Sequence, residues 1–206
     1  NKLDVQNDQV IRKDAGEAIS LKDLAQIVYY RGHELPPGSN PELITTASFS
    51  IQGVPFVFTN SAMGCLVDVD INTGLTKIEK FWAVEDCGTQ INPKLVEEQI
   101  KGGIVQGIGG ALYEECLYDD MGNLTNGNMA DYLVPMAYEM PDIEVDHVVT
   151  NSGRSVLGAK GAGEAGTGGA PAAIMNAIND ALKPLGVEVN SQPITPEKVL
   201  KSLGKV

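Results

Sequence analysis

Six glycines, one lysine and one glutamate fall within the fourteen residues Gly158-Ala-Lys-Gly-Ala-Gly-Glu-Ala-Gly-Thr-Gly-Gly-Ala-Pro171, and an apolar stretch with helical spacing follows. Such a run cannot be ordinary core. Glycine allows backbone turns closed to other residues and lets a ligand approach bare amides. A helix that starts after such a loop presents free N–H groups and a partial positive charge. Glu164 stands in the middle of this run, where a phosphate would otherwise be welcome.

Two phosphate motifs compete for the segment. Gly161-Ala-Gly163-Glu-Ala-Gly166 matches G-x-G-x-x-G. A dinucleotide fingerprint also needs a strand that ends at the first glycine and an acid about 20 residues on, at the end of the next strand. The nearest strand candidate, Ile143–Thr150, ends well before Gly161, and Asp180 lies within a helical pattern. Gly153-Arg-Ser-Val-Leu-Gly158 begins like a P-loop, but Ala159-Lys160-Gly161 stands where Lys followed by Ser or Thr is required.

The 206-residue chain is long enough for a full core, as one large domain or two small ones. A net charge of −12 without a Lys/Arg cluster argues against nucleic acid or an anionic membrane as partner. No apolar run reaches the length of a membrane span. Cys65, Cys87 and Cys116 are odd in number and widely separated, which suits neither a disulfide framework nor a Cys-x-x-Cys metal site. A reducing, cytoplasmic setting is expected from this usage. His33 and His147 are too few for a His-rich metal site, and no metal ligand is assigned. The first residue is Asn1 rather than Met, so a piece of a larger subunit is expected.

Ser20-Leu-Lys-Asp23 reads as a capped helix start, and Pro36-Pro37-Gly38 as a loop. Residues 42–58, with a Gly-Val-Pro break, read as extended structure. Ala62–Asp70 and Leu75–Glu85 are strand candidates joined by a hairpin signal at Asn72-Thr-Gly74. Asn92-Pro93 opens a helix that runs to about Glu115. Asp119–Asn128 is a turn-forming loop, and Ile143–Thr150 alternates in part as a strand. Pro171–Leu182 reads as a helix with Ile174, Ile178, Ala181 and Leu182 on one face, and Thr195-Pro196 caps a short last one. Strands and helices mix without a clean β-α-β repeat, so the fold class is α+β, with mixed sheets and packed helices.

The helix from Asn92 carries an unusual stripe. Gln99, Gly102, Gly103, Gln106, Gly107 and Gly110 share one side, while Leu95, Ile100, Ile104, Ile108, Ala111 and Leu112 can face a core. Each interior glycine costs about 1 kcal/mol relative to alanine. Either another backbone packs closely on the stripe, or a flat polar ligand edge lies along it. A glutamine amide, with donors and an acceptor, suits a heterocycle that carries both.

Together these pieces resemble the C-terminal part of the molybdopterin-binding large subunit of the xanthine dehydrogenase / aldehyde oxidase family. Four stretches carry the likeness, in the family's order. They are the hairpin Val67–Gly74; Glu85-Asp-Cys-Gly-Thr-Gln-Ile-Asn-Pro93 with Gln99-Ile-Lys-Gly-Gly-Ile-Val-Gln-Gly107; Lys160-Gly-Ala-Gly-Glu164; and Thr195-Pro-Glu-Lys198. The likeness covers about residues 45 to 200 and leaves residues 1–44 as a poorly matched segment. It implies that Glu164 is the catalytic base beside the molybdenum. It implies that Gln99 hydrogen-bonds the pterin, and that Lys160, Gly161, Ala162 and Gly163 form the loop that wraps it. The implied reaction is oxidative hydroxylation of an electron-poor carbon, in an N-heterocycle or an aldehyde, by water-derived oxygen. On this reading the glycine stripe admits the pterin, and the helix beginning near Pro171 keeps Glu164 ionised.

The resemblance further implies a molybdenum–molybdopterin cofactor, its dinucleotide form left open. Iron–sulfur clusters and FAD are expected on other chains or domains, since no Cys-rich motif is present. The expected partners are the rest of the molybdopterin-binding subunit, an iron–sulfur subunit or domain, a flavoprotein subunit and a small-molecule substrate. This piece by itself is expected to be inactive. The alternatives are a non-catalytic binding or assembly domain of the same ancestry, or a nicotinamide dinucleotide-binding oxidoreductase.

Overall fold

The computed structural model describes residues 2–50 and 56–206, and the Gly53-Val-Pro55 break lies outside the described residues. The chain divides into two compact units, 1–50 and 51–206.

In the first unit, β1 (Leu3–Gln6), β2 (Gln9–Arg12) and β3 (Ala18–Ser20) form an antiparallel sheet in that order. Asn7 and Asp8 turn the first hairpin with φ of 49° and 59°, the left-handed pair that a tight two-residue turn requires. Helix α1 (Leu21–Tyr30) follows, and the Ser20 side chain accepts from Asp23 N at 2.9 Å as the expected cap.

The second unit opens its regular structure with β4 (Asn60–Val69) and β5 (Thr76–Asp86), an antiparallel hairpin. The turn between them is closed by Asp70, whose carboxylate accepts from Asn72 N and Thr73 Oγ1, both at 2.8 Å. β6 (Asp142–His147) lies parallel to β5 on its other edge, so the sheet order is β4-β5-β6. Parallel pairing requires a crossover. It is supplied by α2 (Pro93–Leu112) and the loop after it. Asn92 accepts from Leu95 N at 3.3 Å and Pro93 takes the first helical position, as the sequence predicts. α3 (Ala165–Leu182) and α4 (Pro196–Ser202, capped by Thr195) complete the unit. Helices and mixed sheets together give the expected α+β class.

The core lies between the sheet and the paired helices α2 and α3. Phe81 from β5, Ile100, Ile104 and Ile108 from α2, and Ile174, Ile178 and Leu182 from α3 are completely buried. Two sequence expectations fail at the margins: Leu95 and Ala181 are exposed rather than core-facing. α2 ends at Leu112 rather than near Glu115, and the strand expected to reach Thr150 ends at His147.

The larger correction concerns α3, which begins at Ala165 and not at Pro171. Pro171 sits inside the helix, where it removes one hydrogen bond. That frees the Thr167 carbonyl, and a Cβ added to Gly107 would stand 3.3 Å from it. The glycine stripe of α2 is used accordingly. A Cβ on Gly103 would come within 3.1 Å of Gly166 Cα, and one on Gly107 within 2.7 Å of Ala170 Cβ. Gly103 and Gly107 therefore seat α3 backbone against α2, in place of the planar ligand that the resemblance led us to expect there. Gly102 and Gly110 remain open. Among the described residues, no helix is long and apolar enough to cross a membrane.

Candidate functional site

The glycine-rich run of the sequence becomes a turn leading directly into α3, and it is pinned from below by an ion pair. Lys160 N donates to the Cys87 carbonyl at 2.7 Å, which ties the turn to the end of β5. The Lys160 ammonium reaches Asp86 Oδ2 at 2.9 Å and Thr150 Oγ1 at 2.6 Å. Asp86 Oδ1 accepts from Gly88 N at 3.0 Å and Thr150 N at 3.1 Å, and Thr150 Oγ1 donates to Oδ2. The side chains of Lys160 and Asp86 are only 8% and 11% exposed. Thr150 first, and Lys160 after it, hold the Asp86 carboxyl far below the usual carboxylate range.

The far side of the turn is held from α2. Gln99 Nε2 donates to the Gly163 carbonyl at 2.9 Å. Gln106 lies further along, its Oε1 3.3 Å from Thr167 Oγ1, which is also 3.1 Å from the Gly103 carbonyl. Gln99 and Gln106 thus both meet the start of α3, though at different residues.

Glu164 is the residue that precedes α3. Its carbonyl accepts from Thr167 N at 3.1 Å and Gly168 N at 3.2 Å, so its backbone is fixed by the helix. Its side chain makes no capping bond and is exposed. It lines an open cleft of about 510 Å³ together with Thr59, Ser61, Gly161, Gly163, Ala165 and the α3 glycines 168 and 169. Among the described residues, the N–H groups of Gly161, Ala162, Gly163 and Glu164 have no hydrogen-bond partner. The cleft therefore combines one free carboxylate with a row of free amides at a helix N-terminus. Such amides and the dipole behind them receive anions well.

Of the residues singled out in the sequence, Glu164, Gly161 and Gly163 line the cleft, and Ala162 lies between the two glycines. Gln99 touches the turn from α2. Lys160 does not join them: its ammonium turns away onto Asp86. Sequence reasoning passed over Asp86, Thr150, Thr59 and Ser61. Asp86 lies in one of the stretches that carry the family likeness, so a signal was present there. Glu85, beside it, is 1% exposed, and neither of its carboxyl oxygens has a hydrogen-bond partner among the described residues. The dinucleotide alternative gains no support, because β6 ends at His147, far from Gly161.

The second unit is thus α+β, with an exposed acid and amides unpaired among the described residues at the mouth of one helix. The family model of the molybdopterin cofactor-binding domain matches residues 1–141, and the chain belongs to this family of molybdenum enzyme large subunits, that of the xanthine dehydrogenases and aldehyde oxidases. The nicotine 6-hydroxylase large subunit of Paenarthrobacter nicotinovorans is 42% identical over 188 residues, which are 91% of this chain and 23% of that protein. The carbon monoxide dehydrogenase large chain of Hydrogenophaga pseudoflava is 36% identical, over 98% of this chain and 25% of that one. Among solved structures, quinoline 2-oxidoreductase from Pseudomonas putida 86 superposes with a TM-score of 0.87 at 36% identity, over 99% of this chain and 26% of its own. The chain thus spans about a quarter of the length of these relatives.

Proposed function

We propose that this chain supplies the base and one wall of the cofactor site in a molybdenum hydroxylase. The observation that carries the proposal is the placement of Glu164, uncapped and exposed, beside the unpaired amides of Gly161–Gly163 in one cleft. The residues present suit a pterin cofactor. A Cβ on Gly161, Gly163 or Gly168 would meet nothing within 4 Å, so this side of the cleft is open to a large planar or phosphate-bearing group. The free N–H groups are donors for its anionic and carbonyl oxygens.

When bound, the molybdenum–molybdopterin group supplies the two-electron oxidation. The chain's own residues orient the group and move a proton. The Glu164 carboxylate would take the proton of a water-derived hydroxyl held beside that group, a contribution of about 10²–10⁴-fold for a well-placed base. The turn amides orient the cofactor edge. Gln99 Nε2 holds Gly163, which leaves its Oε1 to accept from a pterin N–H.

Substrates of the N-heterocycle or aldehyde type fit this reading. Two of the relatives above are named for nicotine and quinoline, both N-heterocycles. We assign iron–sulfur clusters and FAD to other chains or domains of the assembly, and we place the assembly in the cytoplasm. Isolated from the rest of its subunit, the chain is proposed to be inactive.

The test uses the full-length subunit purified with its partner chains. Molybdenum and pterin should be present near one per subunit, with turnover on a panel of N-heterocycles and aldehydes. Absence of both, with the partner chains present, would point instead to a non-catalytic domain of the same ancestry.

A further inference from the structure

Between Lys160 and Glu164 the turn is held, among the described residues, only through carbonyls, that of Ala162 by Ala165 N and that of Gly163 by Gln99 Nε2. A Cβ placed on Gly161 or Gly163 would touch nothing, and the N–H groups from Gly161 to Glu164 find no partner among the described residues. Glu164 itself is anchored by α3, and Gly163 by Gln99. The opposite end hangs on Lys160, whose main-chain N–H is held by the Cys87 carbonyl and whose ammonium is held by a residue 74 positions earlier in the chain. Asp86 is spent entirely on this task. Its two oxygens collect Gly88 N, Thr150 N, Thr150 Oγ1 and the Lys160 ammonium, which draws together the end of β5, the segment after β6 and the glycine-rich turn.

An ion pair this buried is poor evidence of stability for its own sake, because desolvation offsets most of the attraction. Its geometric effect is not offset. We propose that Asp86 is a positioning residue, which acts through Lys160 and Thr150 to fix where the Gly161–Gly163 amides stand relative to the Glu164 carboxylate. The proposal rests on the reading of Glu164 as the base. It assigns Lys160 a role different from a direct cofactor contact: the ammonium orients the loop and does not enter the cleft. Pre-organised sites lose rate steeply when a catalytic group shifts, about 100-fold for 1 Å.

The experiment compares Asp86→Asn, Thr150→Val and Glu164→Gln in the full-length, cofactor-loaded subunit with its partner chains. Thr150→Val keeps the ion pair and removes only the hydroxyl, so it serves where Asp86→Asn fails to fold. Two quantities are read: hydrogen exchange of the peptide spanning residues 158–164, and kcat and KM per molybdenum-loaded site. Asp86→Asn should speed exchange in that peptide at least tenfold, with exchange in α2 and in the β4–β5 hairpin unchanged. It should also lower kcat per loaded site about 10- to 100-fold, with KM within twofold. Thr150→Val should move both in the same direction by less. Unchanged exchange in that peptide, or an unchanged kcat per loaded site while Glu164→Gln is inactive, would overturn the positioning role alone. Full activity of Glu164→Gln would overturn both it and the base.

Discussion

The side-chain amide of Gln99, on α2, donates to the main-chain carbonyl of Gly163, one residue before Glu164, at 2.9 Å. This bond joins the two motifs that the sequence sets 64 residues apart. It uses one amide hydrogen for the turn and leaves one donor and one acceptor, which under the proposed function serve the cofactor. Gln99→Ala should therefore cost the fold only about 1 kcal/mol, the net worth of a typical hydrogen bond. It should weaken retention of molybdopterin clearly, as read by cofactor content per folded subunit after dialysis. Unfolding with cofactor content intact would mean that Gln99 serves packing alone.

The two kinds of glycine on α2 and α3 should respond oppositely to alanine. A Cβ on Gly166 would overlap the Ile100 carbonyl and stand 2.8 Å from Ile104 N, so Gly166→Ala must push the helices apart. A loss of about 3 kcal/mol is expected, at the upper end for overpacking. Gly110 has open space around it, and Gly110→Ala should stabilise by up to about 1 kcal/mol through helix propensity. Urea midpoints of the two variants against the parent check the pair. Equal effects would contradict the packing described for the stripe.

What could be read from the sequence depended on whether the signal was local. The β4–β5 hairpin and the start of α2 were legible because alternation, the Asn72-Thr-Gly74 turn and the Asn92-Pro93 cap each sit within a few residues of what they direct. The start of α3 was hidden. Gly166, Gly168 and Gly169 lower helix propensity, and Pro171 mimics a first-turn proline. Only the tertiary seat on Gly103 and Gly107 overrides those signals. The β1–β3 sheet was missed although Asn7-Asp8 is a recognisable turn pair, because its strands are three or four residues long. In the site, Glu164 stood out because an acid among glycines is locally odd. The partnership of Lys160 with Asp86 and Thr150 spans three distant segments, and no local spacing encodes it.

Glu85 gives the second unit a pH dependence of its own. Burial pushes its carboxyl up to about 7 from an ordinary 4.5. A raised value means that the folded state holds the proton more tightly than the unfolded one. The associated stability is full below about pH 4.5, falls as pH rises through 7, and is flat above. The decline between pH 5 and pH 8 should be on the order of 2–3 kcal/mol. Glu85→Gln, which keeps the shape and cannot ionise, should remove most of it. Denaturation midpoints at the two pH values decide the matter, and an equal decline in both proteins would show that another group is responsible.

The account turns on the Glu164 carboxylate as a base, and the most direct test is the single-turnover rate of cofactor reduction by substrate in Glu164→Gln, measured on subunits with matched molybdenum and pterin content. The predicted result is a fall of about 10²–10⁴-fold with the cofactor still bound. A rate equal to that of the parent, at equal loading, would contradict it.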